Sequence, residues 1–353
     1  MSINTRLIEK YLILPYLPVV LAPFLLFVGP LLTGKVIFWG LPALQFVPWQ
    51  SYAWQQISQG IIPLWNPLNG MGAPLMANYQ LALFYPPTWL GYAFAAIGGT
   101  SALAWVQTLL VPLHLAWAGI GMIWLARRLG QNALAQTVSG LSFAMSGYFL
   151  ARAGFYSMIW AGSWLPWIIW SASAIAMPVK GAAGNGKRFA PALIICLTFQ
   201  LLSGHAQLTW YTILLTLSWV FIGGWVNPGW KGAVRGSWVL FYHGLIAGGI
   251  ACIQLLPTAE YLIASQRSTA VDYDLGLTYS FWPWRLITVL APNMFGNPGS
   301  GDYWGYASFW EDSVYIGLLP VILAITTLWL LGKRANDDPQ RPFIRMAWGI
   351  TII

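Results

Sequence analysis

Residues 102–126 read ALAWVQTLLVPLHLAWAGIGMIWLA, a charge-free and largely apolar run that stops at Arg127 and Arg128. A helix needs ~20 such residues to cross the hydrocarbon core of a membrane, so this run is long enough to span one. The whole chain of 353 residues is 58% hydrophobic and only 7% charged, with a mean hydropathy of +0.63, whereas a soluble domain is ~25% charged. This composition predicts an all-α polytopic membrane protein.

Other apolar runs predict further spans near 11–32, 133–150, 156–178, 189–203, 206–224, 238–257 and 313–332, with an incomplete one at 346–353. We therefore expect residues 1–353 to form a single membrane domain. We also expect this sequence to be a C-terminally truncated fragment, with the native chain continuing beyond Ile353. The run 82–98 is short and carries Pro86 and Pro87, which remove backbone donors. We predict that it lies in, or re-enters, the outer membrane interface.

The distribution of Lys and Arg predicts the orientation. If 33–101 stays on one side, the loops that share a side with the N-terminus hold thirteen of the 17 cations, and the opposite side holds Lys35, Arg152, Arg267 and Arg285. Cytoplasmic loops of membrane proteins carry such an excess, so the N-terminus is predicted to be cytoplasmic. The net charge of +8 is explained by topology, and we expect no nucleic-acid partner.

The carboxylates are concentrated in one outer segment. The chain has no Asp or Glu between Lys10 and Ala259, and six of its nine carboxylates fall within residues 260–312. They are Glu260, Asp272, Asp274, Asp302, Glu311 and Asp312. The predicted outer face therefore has two long loops, 33–101 without acids and 258–312 with them. Acid/base or metal chemistry that uses carboxylates is expected in the second loop.

The first outer loop combines aromatic rings with amides. Its candidates for a sugar site are Gln45, Trp65, Asn66 and Gln80. Aromatic rings stack on the C–H faces of sugars, and amides offer both donors and acceptors to hydroxyls. The alternative interpretation is a belt of interfacial Trp with amides that cap loops.

Several motifs follow one another in the order known from one family. They are GLPALQFVPW (40–49), PLWNPLNGMGAPLMANYQLALFYPP (63–87), FAMSGYFLARAGFYSMIWAGSWLPW (143–167), LLSGHAQLTWY (201–211), APNMFG (291–296) and WEDSVYIGLLP (310–320). Together they resemble the YfhO family of bacterial membrane proteins, which is placed with the GT-C glycosyltransferases. The resemblance implies a GT-C-like helical bundle in the bacterial plasma membrane, with a large first outer loop of juxtamembrane helices. It also implies membrane lipids and a polyprenyl-phosphate-linked sugar as partners.

The chain departs from that family at one position. The family pattern has Gly-Asp shortly before the Gln that matches Gln45, and GT-C enzymes use a first-loop acid as a base or metal ligand. Here Gly40 is followed by Leu41, and the loop contains no acid. The departure leaves open whether the chain is an active enzyme, and whether another carboxylate replaces the missing one.

The second loop supplies the candidates for that chemistry. Transfer from a phosphate-linked sugar needs a base near the acceptor and cations near the leaving phosphate. We predict Glu260, Asp302 or Glu311 as base or metal ligand, and Arg267 and Arg285 as phosphate ligands, with His205 as a further substrate contact. The bland alternatives are that Asp312 caps a helix beginning at Ser313, that either Arg pairs with Asp272 or Asp274, and that His205 closes a turn.

No cofactor is indicated with certainty. A divalent metal ion is a candidate because Asp272 and Asp274 would share a face of an extended strand, although two ligands are a weak signal. The favoured function is a polyprenyl-phosphate-sugar-dependent glycosyltransferase with an extracytoplasmic acceptor. The alternatives are a non-catalytic relative that binds glycolipid and a lipid or glycan flippase. The near absence of ionisable residues in the spans counts against an ion-coupled transporter.

Overall fold

This computed structural model describes residues 15–176, 186–226, 229–266, 273, 277, 280–305, 308–333, 344–345 and 347–349. The predicted ligands Arg267, Asp272 and Asp274 lie outside these ranges, so their placement stays a prediction. The described chain is predominantly helical, which confirms the all-α expectation. Within these ranges, four helices are long and apolar enough to cross a membrane, as a membrane-embedded protein requires.

The helices of the bundle are α1 (Tyr16–Thr33), α2 (Val47–Ser58), α3 (Pro86–Arg128), α4 (Ala133–Ala144), α5 (Gly147–Ala151), α6 (Tyr156–Ser163), α7 (Leu165–Ala176), α8 (Ala190–Leu202), α9 (Ala206–Val226), α10 (Trp230–Ile263), α11 (Phe309–Asp312) and α12 (Leu318–Lys333). Some of the helices are joined by short connections, whereas long segments separate α2 from α3 and α10 from α11. The four candidate spans are α1, α3, α9 and α10, and two shorter apolar helices are Ala190–Leu202 and Leu318–Leu330.

The helix α3 is broken at Gly98 and Gly99. Gly99 has φ 63° and ψ −153°, a conformation that side chains rarely adopt. In a straight helix Gly91 and Leu103 would be ~18 Å apart along the axis, yet a Cβ added to Gly91 would lie 3.8 Å from Leu103 Cγ. The arm 86–97 therefore folds back beside the longer arm. At twelve residues this arm is shorter than the ~20 that a span needs; its place at the outer interface remains a prediction.

Two predicted spans are interrupted in the structure. The run 133–150 is divided into α4 and α5 at Met145 and Ser146, and the run 156–178 into α6 and α7 at Trp164. Pro166 lies at the start of α7, where its missing N–H is not needed. The run 313–332 becomes helical only at Leu318. Hydropathy alone cannot register such breaks, because the residues around them are as apolar as the helices.

The segment predicted to be the first outer loop is a folded unit attached to the bundle. A π-helical turn (Pro42–Phe46) leads into α2, and a two-residue antiparallel ladder pairs β1 (Trp65–Asn66) with β2 (Ala73–Pro74). Gln50 in α2 accepts a 2.8 Å hydrogen bond from Gln107 in α3. Further along, Gln254 and Thr258 of α10 donate 3.0 Å bonds to the carbonyl groups of Met76 and Ala77.

A buried hydrogen-bond chain completes this attachment. Trp164 Nε1 donates to the Tyr85 hydroxyl at 2.9 Å, and that hydroxyl lies 2.7 Å from His114 Nε2. His114 Nδ1 in turn lies 2.7 Å from the carbonyl oxygen of Leu110. The end of the first loop is therefore bonded to α3 and to the break between α6 and α7.

Candidate functional site

The two predicted outer loops meet around Arg152, which follows the last residue of α5. The Arg152 side chain is only 6% exposed, and its Nη2 lies 3.7 Å from Glu311 Oε2, whose side chain is 48% exposed. The guanidinium also lies 4.2 Å from the centroid of the Tyr148 ring, one turn earlier. Burial lowers the pKa of Arg152 from its usual value, and Tyr148 and Glu311 oppose that shift; a guanidinium nevertheless stays charged at neutral pH.

Aromatic contacts join the loops beside this ion pair. Trp310, which precedes Glu311, stacks on Trp39 of the first loop with ring centroids 6.2 Å apart. Its centroid is also 5.6 Å from that of Phe155. Pro42 lies close to the same turn, because a Cβ added to Gly154 would be 3.4 Å from Pro42 Cδ. Leu41, the position where the resembled family has its acid, is therefore flanked by residues of this junction.

The backbone of the second loop is also held here. The amide of Gly147 donates a 2.6 Å hydrogen bond to the carbonyl of Tyr315. This bond fixes the segment between α11 and α12 against the start of α5. Glu311 is thus placed by contacts on both sides, from Trp310 to the first loop and from Tyr315 to α5.

His205 caps the first turn of α9 from the neighbouring connection. Its Nδ1 accepts a 3.2 Å hydrogen bond from the amide of Leu208, so the proton of the neutral ring is on Nε2. Burial, and then the positive charge of Arg152, lower the pKa of His205 to about 4. The ring is therefore neutral at pH 7 and offers Nε2–H as a donor. It closes a turn, as the bland alternative held, and it belongs to the surroundings of Arg152.

Gln80 is brought to the same connection, whereas the other first-loop candidates are not. The Cα of Gln80 would lie 3.2 Å from a Cβ on Gly204, and Tyr79 donates from its hydroxyl to the Leu201 carbonyl at 2.6 Å. Asn66 is buried and accepts from the amide of Leu68 at 3.0 Å, the geometry of an amide that shapes a turn. Trp65 is exposed in the β ladder, and Gln45 is half-buried in the π-helical turn.

Arg285 is engaged inside the second loop. It is almost fully buried, and its Nε lies 2.9 Å from Asp312 Oδ1. The hydroxyl of Tyr303 donates to Asp312 Oδ2 at 2.9 Å; burial and this carboxylate raise the pKa of Tyr303 to about 12. The expectation that Asp312 caps the next helix is wrong, because α12 begins at Leu318 and the carboxylate faces Arg285. Phosphate binding by Arg285 stays a prediction that would require this pair to open.

The other two carboxylate candidates, Asp302 and Glu260, form no ion pair with Arg152 in the described chain. Asp302 is exposed and accepts from the amide of Asn297 at 2.8 Å, which closes the Gly-rich loop. Glu260 is exposed near the end of α10. Among the described residues, no group of three or more His, Cys, Asp or Glu is arranged to hold a metal ion. Of the three predicted catalytic carboxylates, Glu311 is the one that forms an ion pair with Arg152.

An apolar cavity shares Tyr148 with the surroundings of the ion pair. It has a volume of about 570 Å³ and lies between α4, α9 and α12. Val138, Leu208 and Leu323 contribute to its walls, and so does Tyr148, whose ring lies against Arg152. An apolar chain in this cavity would therefore contact the Tyr148 ring, which lies against the guanidinium.

From the sequence, Arg152 was placed among the cations of the predicted outer side, and its role in the site was missed. Trp39, Tyr148 and Trp310 were missed as well. The sequence signal that could have found Arg152 is its isolation, since it is a lone cation in a short outer turn with no acid nearby in the chain. Its partner comes from a distant loop, which only packing brings close.

Comparisons with models of known protein families, with curated proteins and with solved structures find no match for this chain. The resemblance to the YfhO family, and the GT-C architecture it implies, therefore stay predictions. The function must be argued from the site.

Proposed function

We propose that this chain is a membrane glycosyltransferase that moves a sugar from a polyprenyl-phosphate carrier to an acceptor outside the cell. The observation that supports this most directly is the Arg152–Glu311 pair. A buried cation and a half-exposed carboxylate stand side by side where the two long loops meet. The apolar cavity lined in part by Tyr148 suits the isoprenoid part of the carrier.

The proposed step needs one base and one cation. The acceptor hydroxyl gives its proton to the Glu311 carboxylate while its oxygen bonds to C1 of the sugar. The bond between C1 and the phosphate oxygen breaks, and the phosphate leaves with the bonding electrons. Arg152 stabilises that leaving group, because a guanidinium binds phosphate with two parallel donors. His205 Nε2–H is a further donor beside it.

In this assignment Glu311 replaces the first-loop acid that the chain lacks at Leu41. Trp39 and Pro42 flank Leu41 at the junction, and Trp310 brings Glu311 to the same place. A carboxylate on the second loop could then supply what the first loop lacks. Trp39 and Trp310 offer ring faces for the sugar at this position.

The test compares two acids of the predicted second loop. The full chain in proteoliposomes is given a carrier lipid with a labelled sugar, and transfer to a lipid or glycan acceptor is measured. We expect Glu311→Gln to lower the transfer rate by roughly 100-fold or more, the usual effect of losing a general base. Glu260→Gln, which removes an exposed acid without an ion pair in the described chain, should leave the rate within about twofold. Full transfer by Glu311→Gln would refute its assignment as the base.

A second candidate is a non-catalytic protein that binds glycolipid, and Leu41 in place of the family acid favours it. In that case the wild-type chain would retain the carrier lipid and transfer nothing with any acceptor. Retention would still weaken in Arg152→Gln, since the phosphate contact serves both functions. The absence of transfer together with Arg152-dependent binding would therefore decide for this candidate.

A further inference from the structure

A second cleft lies at the opposite end of the bundle, where α3 ends and α8 begins. Its volume is about 690 Å³. It is lined by Trp124, Arg127, Arg128, Trp170, Arg188, Phe189 and Ala192. The cleft shares no residue with the site around Arg152, and the inference drawn from it does not rest on the proposed glycosyltransferase activity.

Three guanidinium groups from two distant parts of the chain converge in this cleft. Arg127 donates from Nε to Gln136 Oε1 at 3.4 Å, and Arg128 donates from Nη2 to the Ser173 carbonyl at 2.7 Å. Arg188 is exposed, with its guanidinium 5.0 Å from the Phe189 ring centroid. Each guanidinium carries five N–H donors. In the described chain Arg127 uses its Nε and Arg188 is exposed, so these two side chains have donors left for a ligand.

The chain supplies no carboxylate in this part of its sequence. Between Lys10 and Ala259, which includes every helix that lines the cleft, there is no Asp or Glu. Positive charges gathered in one cleft repel each other, and a bound anion relieves that repulsion. The cleft therefore favours a ligand that is negatively charged and rich in acceptor oxygens.

The walls below the cations are aromatic and apolar. Trp124 lies one helical turn before Arg128, which places it ~6 Å farther from the helix end. Its ring packs edge-to-face on that of Trp170, with centroids 5.1 Å apart. A phospholipid matches this order of charged and apolar groups, because its phosphate lies at the surface and its glycerol and acyl chains lie deeper. Trp favours the headgroup zone of membranes, and basic pockets between membrane helices bind anionic headgroups.

We propose that this cleft binds the phosphate of an anionic phospholipid from the leaflet beside it. Arg127 and Arg188 contact the phosphate oxygens, and Trp124 and Trp170 pack against the glycerol and the upper acyl chain. The orientation predicted from the cations assigns this end to the cytoplasmic side, where anionic lipids are attracted to juxtamembrane cations.

The test is native mass spectrometry of the full chain in detergent with added phosphatidylglycerol or phosphatidylcholine. The wild type is expected to retain phosphatidylglycerol in preference to phosphatidylcholine. Arg127→Gln/Arg188→Gln should weaken retention of phosphatidylglycerol roughly tenfold or more, since each juxtamembrane cation adds appreciably to binding. The control, Lys231→Gln/Arg235→Gln, removes two exposed cations at the start of α10, at the same end of the bundle, and should retain the lipid as the wild type does.

Three results would overturn the proposal. They are unchanged retention in the cleft variant, an equal loss in the control variant, and displacement of the lipid by millimolar inorganic phosphate, which would mean that a soluble anion is the ligand. Arg188→Gln alone serves if the double variant fails to fold. Arg188 is exposed, so its replacement should leave the melting temperature unchanged and still weaken retention severalfold.

Discussion

Glu311 and Asp312 are neighbours in one short helix, yet their surroundings are opposite. The Glu311 side chain is 48% exposed beside Arg152, whereas the Asp312 side chain is 4% exposed and faces Arg285. A buried ion pair adds little net stability over an apolar pair, but removing one partner leaves a buried charge without compensation. Because of this difference in burial, Glu311 is accessible for chemistry, whereas Asp312 stabilises the loop.

This difference predicts separate effects of two amide substitutions. Asp312→Asn should destabilise the second loop by about 3 kcal/mol, the usual cost of breaking a buried pair. Glu311→Gln should cost less, about 1 kcal/mol, because the position is half-exposed, so that water and the Tyr148 ring still stabilise the Arg152 charge; it should nevertheless lower transfer. Thermal unfolding of both variants in one detergent measures the difference. Equal losses of stability would show that the two carboxylates are held alike.

His205 predicts a dependence of stability on pH. Its pKa in the folded chain is about 4, below the usual 6.5, so the unfolded chain binds the proton more readily between these values. The stability is full above pH 6.5 and is lost as the pH falls toward 4. Asn is a good helix cap, so His205→Asn keeps the cap of α9 and removes this titration.

Between pH 7 and pH 5, the wild type should lose about 1–2 kcal/mol more than His205→Asn. Melting curves at both pH values, at constant ionic strength, measure this. Parallel losses in the two proteins would mean that His205 is not buried beside Arg152 as described.

At the scale of elements, short connections decide how the helices meet. Gly204 joins α8 to α9 with φ 89°, and a Cβ there would lie 2.7 Å from the carbonyl oxygen of Tyr79. Gly130 joins α3 to α4 with φ 76°, and a Cβ there would meet nothing within 4 Å. Both positions favour glycine for its conformation, but Gly204 also lets the first loop approach the backbone.

Comparing Gly204→Ala with Gly130→Ala separates the cost of the backbone conformation from the cost of the close approach of Tyr79. Gly130→Ala should cost about 1 kcal/mol for the backbone conformation alone. Gly204→Ala should cost about 2 kcal/mol more, because Tyr79 must also move away. Melting temperatures would show the order, and limited proteolysis of the first loop should increase in Gly204→Ala only. Equal shifts in melting temperature would contradict the close approach.

At the scale of the whole molecule, the site depends on two loops that are far apart in the chain. The stack of Trp39 on Trp310 joins them beside Glu311, and pairs of this kind contribute about 0.5–1.5 kcal/mol beyond the area they bury. A double-mutant cycle tests this contact.

Trp39→Ala and Trp310→Ala should be non-additive in stability by about 1 kcal/mol. The matched cycle of Trp65→Ala with Trp310→Ala should be additive. Trp65 lies in the same loop, and the ring contacts of Trp310 in the described chain are with Trp39 and Phe155. Chemical or thermal unfolding of the six proteins gives both coupling energies. Additivity in the first cycle would mean that the loops do not meet through these rings.

The sequence by itself determined the helical class, the approximate position of the apolar helices and the segment that holds the carboxylates. These follow from hydropathy and charge, which are local properties of the chain. The tertiary structure alone decided that Glu311 meets Arg152, that Asp312 is buried with Arg285, and that Arg127 and Arg188 share a cleft. The reason is physical: each of these pairs joins residues from different helices or loops, and only the packing of the bundle sets the distance between them.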